Sequence, residues 1–536
     1  MRAVLVVTFL FAVCGAAPSD KKQETEIRMV KAIEDKEVWF EEAQNRLDKV
    51  TKKKQIENKA KNIILFIGDG MGIATVTTSR IYRGQLNGNT GEESFHSFEL
   101  FSNVGLIKTY TVNMQVPDSA ATATAMLCGV KTNQEVIGFD ANAIYDECNS
   151  EIIGTSKVES LFKWAQDIGK RTGVVTTTRI THATPAAGYA HINNRDWECD
   201  SEIPEEYKSC TKDIARQLVE DEPGKNLNVI FGGGLQQMGF GSSPSESSCK
   251  RTDGKNLTSQ WENDRATERV SYGFVTNREQ MEALSTEQKV LGLFGYGHMS
   301  FDLERDTTPT GSPSIADMTE KAIELLQGAQ NGYFLMVEGG RIDHAHHGNY
   351  ARLALDEAVR FDEAIEKAFN ITNEDDTLII VTADHSHAMT MNGYPERGND
   401  ILGFAQKTTD KEFAYETITY ANGPGYNVHK KLGAIAEGEY MWIDPSTLQN
   451  RDDTRYGHFA PIYESIETHS GEDVAIYANG PFSHLFNGVF EQSYVAHAIS
   501  CAGKFGPSAD YCNSALSARP SALLLCLLII VRSLFA

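Results

Sequence analysis

The chain has 536 residues, of which 41% are hydrophobic and 23% charged, and its formal net charge is −23. This length allows one large domain with insertions or several domains, and the composition is that of a globular protein. The negative charge argues against a nucleic-acid-binding protein, because such a protein needs a basic surface. If the substrate is an anion, a few local cations must attract it against the overall field.

The amino-terminal segment predicts secretion. Residues 4–13 are almost wholly apolar, and small residues follow them. This arrangement is typical of a signal peptide, here residues 1–16, with cleavage near Ala16. Further on, residues 27–53 predict a charged amphipathic helix. Its apolar side chains, available for docking, are Val30, Ile33, Val38, Trp39 and Leu47.

Short apolar runs recur along the chain, and polar residues of chemical interest stand beside them. Such runs predict strands that are buried on both faces of a sheet. Helical periodicity lies between them, as in residues 354–369, where apolar side chains recur at spacings of three and four. The alternation predicts an α/β fold with a largely parallel sheet. The runs are residues 63–67, 173–175, 227–231, 334–337, 378–381 and 474–477, and the helix face is Ala354, Ala358, Phe361, Ile365 and Phe369.

Residues 393–460 differ from the rest of the chain. They are rich in Gly, Asp, Asn and Tyr and have weak periodicity. We interpret them as an irregular inserted subdomain.

The stretch VPDSAATATA places Ser119 at the start of a predicted helix. Proline suits a helix entry, and Asp or Ser suits its N-cap, so one interpretation is a capped, alanine-rich helix with no further role. The other is that Ser119 is a nucleophile, because backbone N–H groups at a helix start favour an anion. Ser119 alone does not decide between the two.

Acids and histidines collect where the predicted strands end, which is where open α/β sheets bind their ligands. Mixed Asp and His ligands suit zinc, and an all-oxygen set suits magnesium. A Ser-His-Asp triad would use the same residue types, but it leaves most of the carboxylates unexplained, and no Gly-x-Ser-x-Gly surrounds Ser119. The segments concerned are GDGMG with Asp69, EGGRIDHAHHG with residues 338–348, TADHSH with residues 382–387, and ETHSGEDV with His469.

The motifs GDGMG, VPDSAATATA, THATPA, VEGGRIDHAHH, TADHSH and ETHSGEDV together closely resemble those of animal alkaline phosphatases, in particular the membrane-bound type with a glycosylphosphatidylinositol (GPI) anchor. The similarity runs from about residue 30 to residue 512. It implies a three-layer α/β sandwich with a large, mostly parallel central sheet, in which 393–460 form a crown-like insertion. It also implies hydrolysis of phosphate monoesters with broad specificity, and a homodimer with the amino-terminal helix and the insertion at its interface.

The resemblance also implies a role for each matching residue. Ser119 would become phosphorylated, and Arg195 would grip two phosphate oxygens with its planar fork of donors. His182, His344 and His387 would orient water and ligands from outside the metal sites. The implied metal ligands are Asp343, His347 and His469 for a first zinc ion, Asp69, Asp384, His385 and Ser119 for a second, and Asp69, Thr184 and Glu338 for magnesium.

The sequence differs from the family pattern at one point, the calcium site that many vertebrate members carry. Gly295 and Ser312 stand where acidic ligands are expected. The sequence therefore does not favour a calcium ion.

Nine cysteines are present, and two of them, Cys14 and Cys526, lie in segments that we expect to be removed. The remaining odd number predicts pairs plus one free thiol in a secreted chain. Cys501 and Cys512 flank a short loop and are expected to pair. The resemblance implies the same pair, a second pair of Cys148 with Cys210, and a reduced Cys128. The last two, Cys199 and Cys249, lie outside the pattern of the family, and the sequence leaves open whether they pair with each other.

The carboxyl-terminal segment predicts a GPI-anchor signal. Small residues around Asn513, a short spacer and a short apolar tail fit such a signal, and the tail is too short to span a bilayer comfortably. We therefore expect an anchor at Asn513, a propeptide of residues 514–536 and a catalytic domain of residues 17–513 on the extracellular face of the plasma membrane. A hydrophobic tail anchor is the alternative. Two sequons, at Asn256 and Asn370, predict glycosylation.

Other functions use related features. A phosphodiesterase or sulfatase of the same superfamily would share the metal ligands, although sulfatases need a different nucleophile motif. A surface receptor that keeps the fold without activity, or an adhesion module without zinc, are further alternatives.

Overall fold

In the computed structural model, which describes residues 36–241, 249–408, 413–431 and 441–512, the chain divides into two units, Met1–Lys54 and Gln55–Ala536. The described part of the first unit is helix α1 (Lys36–Lys52), in which every residue is exposed. Trp39 and Phe40 are 52% and 62% exposed. Residues 1–35, which include the predicted signal peptide, lie outside the described residues.

The second unit is built on a ten-stranded sheet in the order β16-β2-β15-β8-β1-β7-β3-β4-β6-β5. The strands among the described residues are β1 (Asn62–Gly68), β2 (Asn103–Lys108), β3 (Arg171–Arg179), β4 (Val229–Gly233), β5 (Tyr272–Val275), β6 (Lys289–Leu293), β7 (Tyr333–Gly339), β8 (Thr377–Ala383), β9 (Ser386–His387), β10 (Met389–Met391), β11 (Phe404–Lys407), β12 (Ala414–Glu416), β13 (Ile418–Tyr420), β14 (His469–Ser470), β15 (Val474–Asn479) and β16 (Gly488–Glu491).

The sheet confirms the predicted parallel architecture. Each adjacent pair of its described strands is parallel, except that β15 runs antiparallel to both of its neighbours, β8 and β2. The six predicted apolar runs lie in β1, β3, β4, β7, β8 and β15. Strands β7 and β8 are buried at every residue, as a strand covered on both faces should be.

Helices cover both faces of the sheet. The helices are α2 (Ile73–Leu86), α3 (Ser119–Cys128), α4 (Ser150–Ser156), α5 (Leu161–Asp167), α6 (Ala183–Ala186), α7 (Ile214–Glu220), α8 (Leu257–Glu268), α9 (Arg278–Glu282), α10 (Ile315–Leu326), α11 (Arg341–His347), α12 (Ala351–Ile371), α13 (Gly425–His429) and α14 (Tyr494–Gly503), besides α1.

Two contacts of β1 show this layering. Ile63 lies against Gly503 of α14, and Phe66 packs edge-on against Phe361 of α12, with ring centroids 5.8 Å apart. Because side chains alternate along a strand, residues three apart point to opposite faces. Helices α14 and α12 therefore lie on opposite sides of the sheet, which gives three layers.

Helix α12 corrects one detail of the predicted apolar face. The first four residues of that face are fully buried or nearly so, but Phe369 is 41% exposed. Phe369 lies in the last turn of the helix, where it contacts Phe101 at a ring-centroid distance of 5.7 Å. The periodicity predicted the face correctly but not where it leaves the core.

The region 393–460 is largely irregular, and its described strands belong to two small antiparallel sheets. Strands β11 and β12 form one antiparallel pair, and β13 pairs with β10, which lies just before the region. A separate small core joins this region to helices α2 and α12. Its buried residues are Ile81, Ala351, Leu355, Met389, Ile401, Ile418, Tyr420 and Ala460.

Candidate active site

The predicted site residues converge at the carboxyl edge of the parallel strands. Asp69 directly follows β1, Glu338 lies near the end of β7, and Asp384 follows β8. Strand β15 runs the other way, so it begins at this same edge, and the segment that leads into it brings His469 there. Neighbouring strands thus deliver side chains from distant parts of the chain to one point.

Ser119 is the first residue of helix α3, as predicted. Asp118 caps the helix by accepting hydrogen bonds from the backbone N–H groups of Ala120 and Ala121, at 3.0 and 3.3 Å. Ser119 is only 2% exposed. Its Oγ lies 3.1 Å from Nε2 of His385 and donates to Oδ1 of Asp69 at 3.4 Å.

A first cluster of donor atoms surrounds His385. Its Nε2 lies 3.3 Å from Asp384 Oδ2, 3.4 Å from Asp69 Oδ1 and 3.1 Å from Ser119 Oγ. Four ligands held tetrahedrally at about 2.0 Å from a zinc ion would be about 3.3 Å apart. His385 Nε2 therefore lies at the distance of a fellow metal ligand from one oxygen of each of the other three residues, and Asp69 and His385 also form a possible metal-holding group with Asp343. All four residues are buried.

A second cluster of donor atoms surrounds Asp343. Its Oδ2 lies 3.3 Å from Nε2 of His347, its Oδ1 lies 3.3 Å from Nε2 of His469, and the two histidine nitrogens are 3.3 Å apart. These distances again match the edges of a tetrahedron around zinc. The other nitrogen of each histidine faces a backbone carbonyl, that of Glu467 for His347 and that of Pro117 for His469. Such contacts fix the tautomer that leaves Nε2 free for a metal.

A third cluster lies around Glu338 and contains oxygen atoms that lack partners. Oδ2 of Asp69, Oε1 of Glu338 and Oγ1 of Thr184 are buried and have no hydrogen-bond partner within the described residues. Burial raises the pKa of Glu338, and the hydroxyl of Thr184, which lies near this carboxyl, acts in the opposite direction. Buried oxygens are rarely left unsatisfied, and an all-oxygen set suits magnesium. These residues fit a divalent cation.

The charges of the site favour the same conclusion. Burial and the neighbouring carboxylates of Asp384, Asp343 and Glu338 raise the pKa of Asp69 well above its usual value. Burial is also the main reason why the pKa of Glu338 is raised to about 7. Burial holds the pKa of His385 well below its usual value, which keeps the imidazole neutral. Crowded carboxylates beside a neutral imidazole need positive charge, and bound cations supply it.

Arg195 lies beside the serine helix and is held in place from two sides. Its Nη1 donates to Oδ2 of Asp118 at 3.1 Å, and its Nη2 lies 3.1 Å from Nε2 of His182. Burial opposes its charge, but Asp118, Asp69 and other carboxylates outweigh burial and raise its pKa. The guanidinium is thus charged and oriented next to Ser119.

The three histidines predicted to lie outside the metal sites have different surroundings. His387 shares a 2.6 Å hydrogen bond with Oδ1 of Asp343 and a shorter one with Glu467. Burial opposes its charge, but Glu467 and Asp343 prevail and raise its pKa to about 10. His387 is therefore a charged support for Asp343. His344 and His182 lie close together, with ring centroids 5.4 Å apart.

Glu467 is the main functional candidate that the sequence analysis missed. Its side chain holds His387 and also accepts from the backbone N–H of Ala388 at 2.7 Å, while its carbonyl faces His347. The residue stood within the motif ETHSGEDV, two positions before His469, but nothing in the sequence showed its partner. Thr176 was missed in the same way, and it donates a short hydrogen bond to Glu338.

One glycine in the motif GDGMG is required by its surroundings. Gly70 has φ of +67°, and a Cβ there would come within 2.4 Å of the His387 ring. Its backbone N–H donates to Oδ1 of Asp384 at 3.0 Å. The absence of a side chain thus lets β1 and β8 bring their acids together.

Six of the seven cysteines in the described part of the chain form disulfides, Cys148–Cys210, Cys199–Cys249 and Cys501–Cys512. Cys128 is reduced and buried, and burial raises the pKa of its thiol to about 12. The two sequon asparagines, Asn256 and Asn370, are exposed. The predicted anchor residue Asn513 and the propeptide 514–536 lie outside the described residues.

The calcium site that the sequence did not favour would include the positions of Gly295 and Ser312. Gly295 contributes backbone only, and Ser312 donates its hydroxyl to the carbonyl of Phe294 at 2.8 Å. Neither residue offers a carboxylate.

The fold and the site indicate a hydrolase with a metal centre, and known proteins identify the family. Residues 60–505 match the alkaline phosphatase family. The chain is 45% identical to alkaline phosphatase 4 of Drosophila melanogaster over 93% of this chain and 87% of that protein. It is 40% identical to the membrane-bound alkaline phosphatase of Bombyx mori, over 92% and 89% of the two chains. It is 42% identical to the tissue-nonspecific isozyme of Gallus gallus, over 97% of both chains.

Solved structures share the fold. The alkaline phosphatase of the Antarctic bacterium TAB5 superposes with a TM-score of 0.58 at 24% identity, covering 84% of this chain and 100% of its own. The enzyme of Thermus thermophilus gives 0.58 at 23% identity, covering 88% and 98%. The chain belongs to the alkaline phosphatase family, and it is accordingly a phosphatase with a metal centre.

Proposed function

We propose that this protein hydrolyses phosphate monoesters through a phosphoserine at Ser119. The observation that carries the proposal is the burial of Ser119 beside three clusters of metal-ligand atoms, with the Arg195 fork next to it. We assign a first zinc to Asp343, His347 and His469, and a second to Asp69, Asp384, His385 and Ser119. Magnesium is assigned to Asp69, Thr184 and Glu338.

The reaction consists of two displacements at phosphorus. When bound, the cations lower the pKa of the serine hydroxyl and neutralise charge on the oxygens that enter and leave. Ser119 Oγ forms a bond to phosphorus as the bond to the alcohol oxygen breaks, and the alcohol leaves after taking up a proton. Water then attacks the phosphoserine, which releases phosphate and restores the Ser119 hydroxyl. Water ionises more readily as pH rises, so we expect an alkaline optimum.

The other residues position the phosphate. Arg195 offers two N–H donors to two phosphate oxygens, and Asp118 and His182 keep its plane fixed. The substrate's alcohol is not recognised in this scheme, which supports broad specificity. The site also answers the problem set by the net charge of −23, because local positive charge attracts the anion.

The test is turnover of p-nitrophenyl phosphate before and after removal of metal with a chelator. We expect a loss of at least about a hundredfold on chelation and recovery when zinc and magnesium return. Ser119→Ala should abolish the labelled phosphoenzyme. Activity that survives chelation, or label trapped on the alanine variant, would contradict the mechanism. A phosphodiesterase would instead cleave bis(p-nitrophenyl) phosphate faster than the monoester.

We further propose a glycosylated homodimer that is held by a GPI anchor on the extracellular face of the plasma membrane. The predicted signal peptide, the small residues around Asn513 and the membrane-bound relative from Bombyx mori support this placement. Among the described residues, no helix has the length and apolar character needed to cross a membrane. Phospholipase C specific for phosphatidylinositol should release the protein from membranes. Persistent attachment would favour a hydrophobic tail anchor.

A further inference from the structure

A cleft of about 430 Å³ has no role in the mechanism above. We call it the arginine cleft. It is lined chiefly by Arg179, His298, Ser300, Glu304, Arg341 and Arg455.

Two of the three arginines are already paired. Arg179 donates through Nε to both carboxylate oxygens of Glu198, at 3.0 and 2.8 Å. Arg455 makes two 2.7 Å hydrogen bonds to Glu304. These two ion pairs leave no net charge at either position.

Arg341 is different, because it has no ion pair with any described residue. Its Nη1 lies 3.1 Å from Nδ1 of His344, and its guanidinium lies 3.9 Å from the centre of the Phe301 ring. Its Nε is buried and has no hydrogen-bond partner within the described chain. A charged donor is rarely left unpaired in a buried position, since the cost is high. The cleft therefore offers one guanidinium without a direct ion pair, on which the carboxylates of Glu357 and Glu304 act only from a longer distance.

Histidine rings connect the arginine cleft with the phosphate site. His298 lies in the cleft, and its ring centroid is 4.2 Å from that of His344 and 5.3 Å from that of His182. His182 in turn contacts Arg195, the proposed phosphate clamp. Arg341 also lies two residues before Asp343 on the same helix. The cleft and the phosphate site thus share a wall.

We propose that the arginine cleft binds a second anionic group of the substrate, a phosphate or a carboxylate, while the reacting phosphate lies at Ser119. A guanidinium fork suits the oxygens of either group. This inference rests on the proposed function and refines it, because phosphate monoesters that carry a second anion would be preferred to those that do not.

The first experiment measures kinetics at pH 7 with p-nitrophenyl phosphate and a series of α,ω-alkanediol bisphosphates with two to six carbons. At this pH the neighbouring Glu357, whose pKa burial raises to about 8, is mostly uncharged. We expect the bisphosphate of best-fitting length to have a KM about tenfold below that of p-nitrophenyl phosphate. Arg341→Met should remove this advantage and change KM for p-nitrophenyl phosphate less than twofold.

Two further variants keep the test decisive if Arg341→Met folds poorly. Arg455 is about half exposed, and Arg455→Met should raise KM for the same bisphosphate about threefold, because it leaves the Glu304 carboxylate unpaired in the cleft, where it repels an anion. Arg278→Met serves as the control, because Arg278 pairs with Glu282 outside the cleft. It should leave both KM values unchanged.

The second experiment measures binding without turnover, by calorimetry of the same bisphosphate with Ser119→Ala and with Ser119→Ala/Arg341→Met. Tighter binding to the first protein than to the second supports the cleft whether or not the wild-type protein is a phosphatase. Equal affinities, or a KM that does not depend on spacer length, would overturn the proposal. A KM that does not depend on spacer length would assign the cleft to a free anion rather than to a second group of the substrate. Lack of p-nitrophenyl phosphate turnover by the wild type would instead contradict the proposed function.

Discussion

At the scale of single residues, the site is a set of buried groups whose charges do not balance among themselves. Asp343 is an example of a buried group whose charge is set by the histidines around it. Burial opposes its ionisation, but His347 and His387 hold its pKa well below the usual value. Its carboxylate is thus always charged, and both of its oxygens face histidine nitrogens.

Asp343→Ala should empty the first zinc site selectively. The substitution removes the two carboxylate oxygens that face Nε2 of His347 and Nε2 of His469. We therefore expect about one zinc fewer per chain and at least about a hundredfold lower turnover. Metal analysis of the purified variant checks this. Asp452→Ala, which changes an exposed carboxylate, is the control. A full zinc content in the Asp343 variant would refute its role as a ligand.

Glu467 is expected to act on the metal through His387. Glu467→Gln keeps the shape of the side chain and can still accept from Ala388, but it removes the charge that faces His387. We expect zinc affinity to fall about 10- to 100-fold. Competition with a chromogenic chelator measures the affinity, and Glu464→Gln on the same loop, where the residue is exposed, is the control. Unchanged affinity would mean that His387 does not need this partner.

Glu357 should make stability depend on pH. Burial raises its pKa from an ordinary 4.5 to about 8 in the folded protein. The unfolded chain therefore loses this proton first, and the free energy of unfolding falls as pH rises from about 4.5 to about 8. Glu357→Gln can still accept from the backbone N–H of Asp302, a 2.6 Å bond in the wild type.

The free energy of unfolding of Glu357→Gln should therefore rise relative to that of the wild type as pH increases from 5 to 9. The change should be a few kcal/mol, since one pKa unit corresponds to about 1.4 kcal/mol. Urea unfolding at the two pH values checks this. A difference between the two proteins that stays constant with pH would show that Glu357 ionises normally in the fold.

At the scale of elements, the start of helix α3 joins capping to phosphate binding. Asp118 accepts from the backbone N–H groups of Ala120, Ala121 and Glu135 and also holds Arg195. Asp118→Asn can keep the cap but loses the ion pair, whereas Asp118→Ala loses both. We expect Asp118→Ala to destabilise the protein by about 1–2 kcal/mol more than Asp118→Asn.

Both Asp118 variants should raise KM for p-nitrophenyl phosphate about three- to tenfold, because the Arg195 fork is no longer held in place. Thermal unfolding and steady-state kinetics separate the two effects. If KM stays at the wild-type value in both variants, Asp118 does not position Arg195.

The sequence predicted the central elements better than the edges of the sheet. Strands β1, β7 and β8 are buried on both faces, so their apolar runs are continuous and easily recognised. Strands β2 and β16 lie at one edge and are partly exposed, and their mixed composition carried no comparable signal. The outer strands β5 and β6 were missed as well.

The candidate site follows a similar rule. Residues that directly follow a buried strand, such as Asp69 and Asp384, could be found from their position in the pattern. Thr184 and Arg195 were assigned only through resemblance to a family, because a threonine before proline and an arginine in a loop carry no signal of their own. Glu467 could not be assigned at all, since its role depends on His387 and Ala388, which lie far away in the sequence.

At the scale of the whole molecule, helix α1 is the clearest sign of an interaction surface. Its exposed apolar side chains include Trp39 and Phe40. If they lie at the interface of the proposed homodimer, Trp39→Ser/Phe40→Ser should raise the dissociation constant of the dimer at least about tenfold. Sedimentation of the wild type as a dimer and of the variant as a mixture would agree with this. A monomeric wild type would contradict the proposed dimer.

The central claim is that side chains at the carboxyl ends of β1, β7 and β8, on helix α11 and in the segment before β15 gather cations around Ser119. The most direct measurement is the metal content of purified, catalytically active protein, determined by inductively coupled plasma mass spectrometry. The account predicts two zinc ions and one magnesium ion per chain. Active protein with less than one divalent metal ion per chain would contradict it.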